Sequence, residues 1–235
     1  MMENDQDILR PPLKVIARIN TDFPEKFGIP RQSGLIDALK ATIVFEPEYR
    51  NPDAVRGLEG FTHIWLIWEF SKAIRSNWSP TVKPPRLGGN KRMGVFATRS
   101  PFRPNPIGLS SVKLDSIEID AKWGPILHVS GADLMDGTPI YDIKPYLSYT
   151  DSHSDAISGF ADEHTYYTLE VDFPQDLLKL IPPKKQKSLI GVLENDPRPS
   201  YQNDPERIYG VSFGGYNIRF RVKDMTLTVC EVTRL

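Results

Sequence analysis

The sequence predicts a mainly β protein, on two observations. Proline and glycine are abundant, at 21 and 16 of the 235 residues, and this content favours turns and short strands over long helices. Short apolar segments recur between those turns, whereas helical periodicity is confined to the C-terminal third. The glycine pairs Gly88-Gly89 and Gly214-Gly215 do not form a dinucleotide-binding fingerprint, so these residues do not point to a doubly wound sheet.

Most of the expected strands lie in the first part of the chain. The segment 60–70 is almost continuously apolar and aromatic, which is typical of a central strand buried on both faces. Segment 109–119 alternates between apolar and polar residues, as a strand with one buried face does. The full set of strands expected in this part is 13–19, 41–45, 60–70, 94–98, 109–119 and 126–130.

A polar, acidic stretch at 149–164 suits a linker, so we expect one domain over 1–155 and a second over 165–235. Leucine spacing in the second region predicts helices at 174–181 and 184–194. Segments 216–222 and 226–232 alternate across Asp224 and pair as a hairpin. The second domain is therefore a small, basic α+β appendage.

The stretch from Arg92 to Ser110 is the densest in special residues, with three prolines, two glycines, three arginines and one asparagine. Prolines remove backbone donors and fix φ, so this part forms a stiff loop held between strands. Asn105-Pro106-Ile107 resembles in its chemistry the Asn-Pro-Pro-aromatic loop of amino-group methyltransferases, where an amide oxygen accepts hydrogen bonds from an exocyclic amine. The prolines would equally serve stiffness alone.

Charge is distributed unevenly although the net charge is −1. Residues 70–114 contain nine Lys or Arg and no Asp or Glu, and residues 115–176 contain thirteen acids against two lysines. A basic block is often a solvated face, but its coincidence with a stiff loop favours a nucleic-acid backbone as partner.

Three further features leave two interpretations open. Pro30-Arg31-Gln32 is a surface turn or a ligand-binding guanidinium and amide. Asp133, Asp136 and Asp142 surround a glycine turn; they would hold a metal, a ribose diol or an ammonium group, or only shape the backbone. His63 is a hydrogen-bonded core residue or a ligand contact, and no second His or Cys stands at metal-binding spacing.

Cellular context follows from what the residues lack. No apolar run is long enough to span a bilayer, and residues 1–10 are not a basic-then-apolar leader, so we expect a cytoplasmic protein. The single cysteine, Cys230, is expected to be a core residue rather than a nucleophile.

Four long motifs resemble the TsaA-like family. They include Leu58-Glu-Gly-Phe-Thr-His, Pro85-Arg-Leu-Gly-Gly, Gly94-Val-Phe-Ala-Thr-Arg-Ser-Pro and Asp136-Gly-Thr-Pro-Ile, and the likeness covers roughly residues 13–149. The segment from Asp196 to Tyr201 resembles the family's C-terminal domain. The resemblance implies a β-barrel rather than a Rossmann fold, a homodimer, and methyl transfer from S-adenosylmethionine to the amino nitrogen of threonylcarbamoyladenosine at tRNA position 37.

The resemblance also implies where ligands bind. Arg31 or Arg99 would bind the methionyl carboxylate, an acid of the turn would bind the ribose or ammonium, and no metal is expected. The implied cofactor-binding residues are Pro30, Arg31, Gln32, His63, Ile64, Arg99, Leu109, Asp133, Leu134, Met135 and Asp136. Asn105 is the catalytic candidate. The expected tRNA-binding residues are Arg86, Lys91, Arg92, Arg103, Arg198, Arg219 and Arg221.

Two other functions remain candidates from the sequence. A regulatory module would bind a nucleotide or cofactor without chemistry, and a purely structural RNA-binding protein would bind tRNA without a donor pocket. Labelled methyl donor incubated with total tRNA discriminates the first from an enzyme, and a donor-binding titration discriminates the second.

Overall fold

The protein, described by a computed structural model over residues 12–84, 91–161, 167–198 and 204–235, combines a closed six-stranded barrel with a second, smaller unit. The expected mainly β class with a barrel and a small C-terminal α+β unit is confirmed. In chain order the strands and helices are β1 Ala17–Asn20, β2 Lys40–Phe45, β3 His63–Glu69, β4 Thr81–Val82, β5 Met93–Gly94, β6 Ile107–Asp120, β7 Gly124–Ser130, β8 Pro139–Pro145, α1 Ser148–Asp151, β9 Glu170–Asp172, α2 Gln175–Leu178, α3 Pro183–Glu194, β10 Tyr209–Phe213, β11 Tyr216–Lys223 and β12 Thr226–Arg234.

The barrel closes in the order β1-β2-β7-β6-β3-β8, and all its strand pairs are antiparallel. Alternate residues point inward and fill the interior, as in other small barrels. Ile19, Ile43, Ile64, Leu66 and Leu127 are fully buried there. The barrel therefore has a packed core rather than a channel, and ligand sites must lie on its loops or its outer wall.

Strand β3 differs from the expectation of a strand buried on both faces. Its exposure alternates, with Ile64 and Leu66 fully buried and Trp65 and Ile67 only partly covered. A barrel wall has one packed face, and the outer face of β3 is covered in part by α1, where the Trp65 indole Nε1 donates to Asp151 at 2.7 Å. Partial cover of that outer face explains why its apolar residues mimic a doubly buried strand.

The expected strand over 94–98 is wrong. After the two-residue strand β5, residues Val95–Ala97 form a 3-10 turn, which Thr98 stabilises by donating from its hydroxyl to the Val95 carbonyl at 2.9 Å. Strand β8, which follows the Asp136-Gly137 turn, had no counterpart among the sequence-based predictions.

The second unit packs α3 against a four-stranded sheet of order β10-β11-β12-β9. The predicted hairpin is confirmed as β11 and β12, which pair across Asp224 at a positive φ of 54°. Its core also contains Phe23, Ile36 and Leu39, which precede β2 in the chain. The second unit is thus not a separate appendage, because it is built partly on the loop between β1 and β2.

Direct polar contacts reinforce that shared core. The Ser188 hydroxyl in α3 donates to the Ala38 carbonyl at 2.6 Å, and the Lys185 ammonium pairs with Asp22 at 2.5 Å. The Gly214 amide donates to the Asp22 carbonyl at 2.8 Å. A Cβ atom added to Gly191 would lie 2.7 Å from the Ile36 side chain, so α3 approaches the loop closely only because that position is glycine.

Two smaller findings concern the whole chain. No helix among the described residues is long and apolar enough to cross a membrane. Cys230 is exposed on β12, so the expectation that it fills a core is wrong. The alternation of β12 turns this position outward, and the cysteine's apolar character gave no sign of that.

Candidate active site

Three connections leave the same end of the barrel, and together they carry most of the predicted site residues. The register pairs Asn20 with Thr42, Lys40 with Ser130, and Glu69 with Ile107, so these strand ends lie at one rim. The connections are the 21–39 loop, the 70–106 connection and the 131–138 turn. Residues far apart in sequence are gathered here, as loops on a rigid scaffold usually gather binding groups.

Asp133 lies at the centre of this rim. Its carboxylate accepts from the Ser110 hydroxyl at 2.6 Å, and the Trp68 indole Nε1 contacts the same hydroxyl oxygen at 3.0 Å. Burial raises the pKa of Asp133, and the Ser110 hydrogen bond and the Arg99 charge only partly oppose that rise. Asp133 is half-buried, and its carboxyl is contacted by one hydroxyl and by the backbone amides of Ser33 and Asp133, which leaves acceptor capacity for a cationic or hydroxyl ligand group.

Arg99 connects two of the rim connections. Its guanidinium Nη1 donates to the Gln32 side-chain oxygen, so the 70–106 connection is tied to the 21–39 loop. The neighbouring Arg31 is exposed, whereas Pro30 is buried. The structure thus brings Arg31, Gln32, Arg99 and Asp133 to one rim, with both signs of charge present.

The turn around Asp136 is held by backbone contacts. The Asp136 carboxylate accepts from the Thr21 amide at 3.0 Å, and the Asp136 amide donates to the Phe23 carbonyl at 2.8 Å. Leu134 is fully buried in the barrel core, and the Met135 carbonyl accepts from the Thr138 hydroxyl at 2.6 Å. These contacts favour the backbone-shaping interpretation for Asp136, and they leave Asp133 as the better ligand-binding acid.

Three predicted cofactor-binding residues lie apart from this cluster. His63 begins β3 and is exposed near the opposite end of that strand, where its ring lies 6.1 Å from that of Tyr146. Ile64 points into the barrel core and is fully buried. Leu109 points outward from β6 and is 58% exposed. Within one chain the fold therefore places His63 towards the opposite end of the barrel and Ile64 in its core, and it turns Leu109 to the outer face beside Ser110, the residue that bonds Asp133.

The proline loop that carries the catalytic candidate is fixed by its backbone. The Ile107 amide donates to the Asn105 carbonyl at 2.7 Å, and the Phe70 amide donates to the Pro106 carbonyl at 2.8 Å. The Asn105 side chain is exposed and makes no hydrogen bond to another described residue. Its amide is therefore available to a ligand, although both neighbouring carbonyls already have one donor.

The predicted tRNA-binding arginines fall into different settings. The Arg103 guanidinium donates to the Thr98 and Val95 carbonyls at 2.6 and 3.2 Å, so it also braces the loop. Arg92 donates to the Thr81 hydroxyl at 2.9 Å and stays exposed, as does Lys91. Arg219 pairs with Glu231 on β12, and Arg221 is exposed on the same face of β11.

Two members of that set need separate mention. Arg86 lies outside the described residues. Arg198 is only 8% exposed and forms a two-point ion pair with Asp196 at 2.8 and 2.9 Å. A guanidinium committed to a buried carboxylate is not a surface phosphate contact, so we correct the expectation for Arg198.

The Arg198 ion pair belongs to a cluster that the sequence did not predict as part of the site. The Tyr167 hydroxyl donates to Asp196 at 2.6 Å. Burial and this hydrogen bond raise the pKa of Tyr167, and the nearby charges of Arg198 and Arg31 partly oppose the rise. Arg31 is thus close to the second unit. Ser110 was missed as well, although a serine at an inward position of an apolar strand is a usable signal.

A polar groove of about 390 Å³ extends from the rim, where Asn20, Thr21 and Asp22 line it, onto the outer wall, and neither Arg99 nor Asp133 lines it. It is lined in part by Lys40, Thr42, Asp115 and His128. Lys40 pairs there with Asp115 at 2.8 Å, so its charges already neutralise each other, and we assign it no ligand. The described residues also contain no group of three acidic, His or Cys side chains placed to hold a metal ion.

Fold and site together define a class: a closed β-barrel protein whose loops at one rim carry acidic and basic side chains in a candidate small-ligand site. Family models extend this to nearly the whole chain. The tRNA-methyltransferase O N-terminal domain model matches residues 18–152, and the TrmO C-terminal domain model matches residues 167–235. The chain belongs to the tRNA-methyltransferase O (TrmO) family and is a methyltransferase of the S-adenosylmethionine-dependent kind.

Individual relatives agree with that assignment. A tRNA (adenine(37)-N6)-methyltransferase of Escherichia coli K12 is 42% identical over 217 residues, covering 89% of this chain and 92% of the relative. One of Eikenella corrodens is 44% identical over 164 residues, covering 69% and 92%. The crystal structure of TrmO from Pseudomonas aeruginosa matches with a TM-score of 0.75 at 31% identity, covering 96% of this chain and 100% of that one.

Proposed function

We propose that this enzyme transfers a methyl group from S-adenosylmethionine to the N6 amine of adenine 37 in tRNA, with threonylcarbamoyladenosine as the modified form of that base. The observation that carries the proposal is the meeting of Arg99, Gln32 and Asp133 at one rim, where the connection that carries Arg99 also carries the exposed amide of Asn105. Family membership gives the class of reaction. The resemblance of the sequence motifs implies that the target adenosine carries a threonylcarbamoyl group.

The rim has the charges that the methyl donor needs. S-adenosylmethionine carries a carboxylate, an ammonium group and a ribose diol, and an activated sulfonium methyl is the chemistry that it supplies. We assign the carboxylate to Arg31 or Arg99, and the ammonium or ribose to Asp133. Leu134 is sealed in the barrel core and His63 lies far along β3, so neither is retained for this site within one chain. The fit rests on the acid Asp133, which lies close enough to Arg99 for their charges to interact, and on the exposed guanidinium of Arg31 at the same rim.

The protein's own catalytic contribution is positioning. The Asn105 amide oxygen would accept a hydrogen bond from the N6–H group and orient the nitrogen toward the methyl group, while the prolines hold the amide still. As the N–C bond forms and the S–C bond of the donor breaks, the sulfur would leave as a neutral thioether and the N6 proton would pass to solvent. Holding two reactants in line removes much of the entropic barrier to methyl transfer. The anticodon loop is single-stranded, so its base is available to such a pocket without breaking a pair.

We further propose a tRNA surface, a homodimer and a cytoplasmic site of action. The surface would include Lys91, Arg92, Arg103, Arg219 and Arg221, whose charges face solvent or brace the loop. The dimer would bring His63 and Leu109 of one chain toward the rim of the other, which would reconcile their exposure on the outer wall with a role in the site. A tRNA substrate makes the cytoplasm the expected compartment.

The deciding experiment combines tRNA from cells lacking this protein with purified enzyme and methyl-labelled donor, followed by nucleoside mass spectrometry. We expect label in N6-methylated threonylcarbamoyladenosine at position 37. Donor bound without label in RNA would favour a regulatory module, and tRNA bound without donor affinity would favour a structural RNA-binding protein. Either result would overturn the proposal.

Two variants test the residue assignments. Arg99→Ala should weaken donor binding about 10- to 100-fold, as loss of a charged hydrogen bond worth about 1.5–3 kcal/mol predicts, with tRNA affinity unchanged. Lys122→Ala, at the far end of the barrel, is the control. Asn105→Ala should keep both ligands and lower kcat by about 100-fold, as removal of one positioned transition-state contact does. Exposed Asn77 is its matched control.

A further inference from the structure

Two large aromatic side chains of the 70–106 connection face solvent together. Trp78 is 53% exposed and Phe96 is 71% exposed. Their ring centroids lie 6.1 Å apart with an angle of 33° between the planes. Exposed apolar patches of this kind usually mark an interaction site, because exposing two large rings to water is energetically unfavourable unless a partner covers them.

The backbone beneath the two rings is ordered. Strands β4 and β5 pair Thr81 with Gly94, which places Trp78 and Phe96 just beyond the same end of a short ribbon. The Val95 amide donates to the Pro80 carbonyl at 2.9 Å, and the Val95 side chain is buried. The two rings are therefore presented by a fixed turn, so a ligand that stacks on them need not order the backbone first.

The surroundings of the rings are positive. The Arg103 guanidinium lies 5.7 Å from the Phe96 ring centroid, and Arg75 lies 3.6 Å from that of Phe102. Residues 70–114 contain no acidic side chain. Aromatic rings next to cations match single-stranded RNA, because bases stack on the rings while phosphates meet the cations.

We infer that Trp78 and Phe96 form a stacking platform for an unpaired base of the tRNA anticodon loop, next to the adenine that is methylated. The inference rests on the proposed function for the identity of the RNA. Arg103 connects the platform to the reaction centre, since it lies two residues before Asn105 and donates to the Val95 carbonyl beneath Phe96. A base stacked on the platform would thus hold its neighbour beside the proline loop.

The test uses the full-length enzyme and an anticodon stem-loop RNA with 2-aminopurine beside the target adenine. Stacking quenches 2-aminopurine, so wild type should lower its fluorescence on binding. Trp78→Ala and Phe96→Ala should each abolish that quenching and weaken RNA binding about 5- to 100-fold, the loss expected when one base loses an aromatic partner. Trp78→Phe should retain most of the quenching and most of the RNA affinity. The affinity for the methyl donor should be unchanged in all three variants.

Trp123→Ala is the matched control. Trp123 is also exposed and also lies near two cations, Arg50 and Lys122, but it sits on the β6–β7 turn at the opposite end of the barrel. This variant should bind RNA like wild type. Light scattering of every variant reports the oligomeric state, and thermal unfolding reports the fold.

Three results would overturn the inference. RNA affinity and quenching that survive in both alanine variants would exclude the platform. A halved molecular mass in those variants would make the patch a contact between copies of the chain. An equal loss of RNA affinity and quenching in Trp123→Ala would mean that any exposed aromatic residue has the same effect, and that Trp78 and Phe96 form no specific site. Methylation by wild type is measured separately, so a working platform with an unmethylated position 37 would refute the proposed function alone.

Discussion

The 21–39 loop and the 70–106 connection leave the same barrel rim but are stabilised in different ways. The first contributes Phe23, Ile36 and Leu39 to the core of the second unit. Among its described residues the second buries only Val95, and it is held by prolines, backbone contacts and side-chain hydrogen bonds such as those from Arg103 to the Val95 and Thr98 carbonyls. A loop that must hold a small charged ligand gains from being packed on both sides, whereas a surface that receives an RNA loop must stay open.

This contrast changes the role of the second unit. Its core surrounds the loop that carries Arg31 and Gln32, and Tyr167 of that unit lies close enough to Arg31 for their charges to interact. Under the proposed function, the second unit would therefore support the donor side of the site as well as offer cations to RNA. A protein cut between the two units would lose this support, so point variants in the whole chain are the better tests.

The largest expected effect comes from a matched pair of phenylalanines. Phe23→Ala removes a ring that is 1% exposed and packs edge-on against Phe213 at 5.3 Å, so it should lower the free energy of unfolding by about 3–5 kcal/mol. Phe96→Ala, in the open connection, should change that free energy by less than about 0.5 kcal/mol. Urea unfolding measures both.

Hydrogen exchange locates the Phe23 effect. Faster exchange in β10–β12 would show that the loop supports the second unit. Faster exchange confined to residues before β2 would contradict the difference between the 21–39 loop and the 70–106 connection. Equal losses of unfolding free energy in Phe23→Ala and Phe96→Ala would contradict it as well.

Loss of the ion pair between Asp22 of the 21–39 loop and Lys185 of the second unit should change stability less than Phe23→Ala does. The Lys185 ammonium reaches both the Asp22 carboxylate and the Gly214 carbonyl and is about one-third exposed, so solvent screens it in part. Lys185→Ala should cost about 1 kcal/mol of stability and raise the donor Kd a few-fold through a looser loop. Exposed Lys184→Ala is the control, and donor titration by calorimetry is the measurement. An identical Kd for both variants would mean that the tie does not position the loop.

How far the sequence predicted this arrangement depends on the range of the interaction. The β11–β12 hairpin was predicted because turn chemistry and alternation are local, and β6 was found with nearly its observed bounds for the same reason. The sharing of Phe23 with the second core depends on contacts between segments more than 100 residues apart, and the burial of Arg198 depends on its ion pair with Asp196 and its position by Tyr209. Periodicity encodes neither of these contacts.

Within the site, motif resemblance located Gln32, Arg99 and Asp133, which the structure gathers at the rim. The resemblance did not reveal that Leu134 fills the barrel core, or that the Asp136 carboxylate already accepts a hydrogen bond from the Thr21 amide. Both facts depend on how the 131–138 turn between β7 and β8 lies against the end of β1, which the sequence alone does not give. Resemblance therefore predicted which segments carry the candidate site, and the geometry shows which of their side chains have no partner among the described residues.

The smallest effect is the pH dependence of the buried acid at the rim. Burial raises the pKa of Asp133 above the ordinary value of about 3.9. Its contribution to stability is therefore complete below that ordinary value, and it is lost as pH rises through the higher folded pKa, because the unfolded chain ionises first. Asp133→Asn lacks this loss, so the thermal unfolding midpoint of the variant minus that of wild type should become more positive as pH rises above about 4.

Asp196→Asn is the control, with the opposite sign. Burial alone would raise the pKa of Asp196, but hydrogen bonds from Arg198 and Tyr167 outweigh it and hold the pKa below its usual value. That carboxylate stabilises the fold above its unfolded pKa and loses the effect as pH falls through the folded pKa, so its difference curve should become more negative with rising pH below about pH 4. Thermal unfolding of both variants and wild type in matched buffers gives the two curves. If the Asp133 curve is flat, the carboxyl at the rim is not held in a desolvated state, and its assignment to the donor's cationic or hydroxyl groups loses its physical basis.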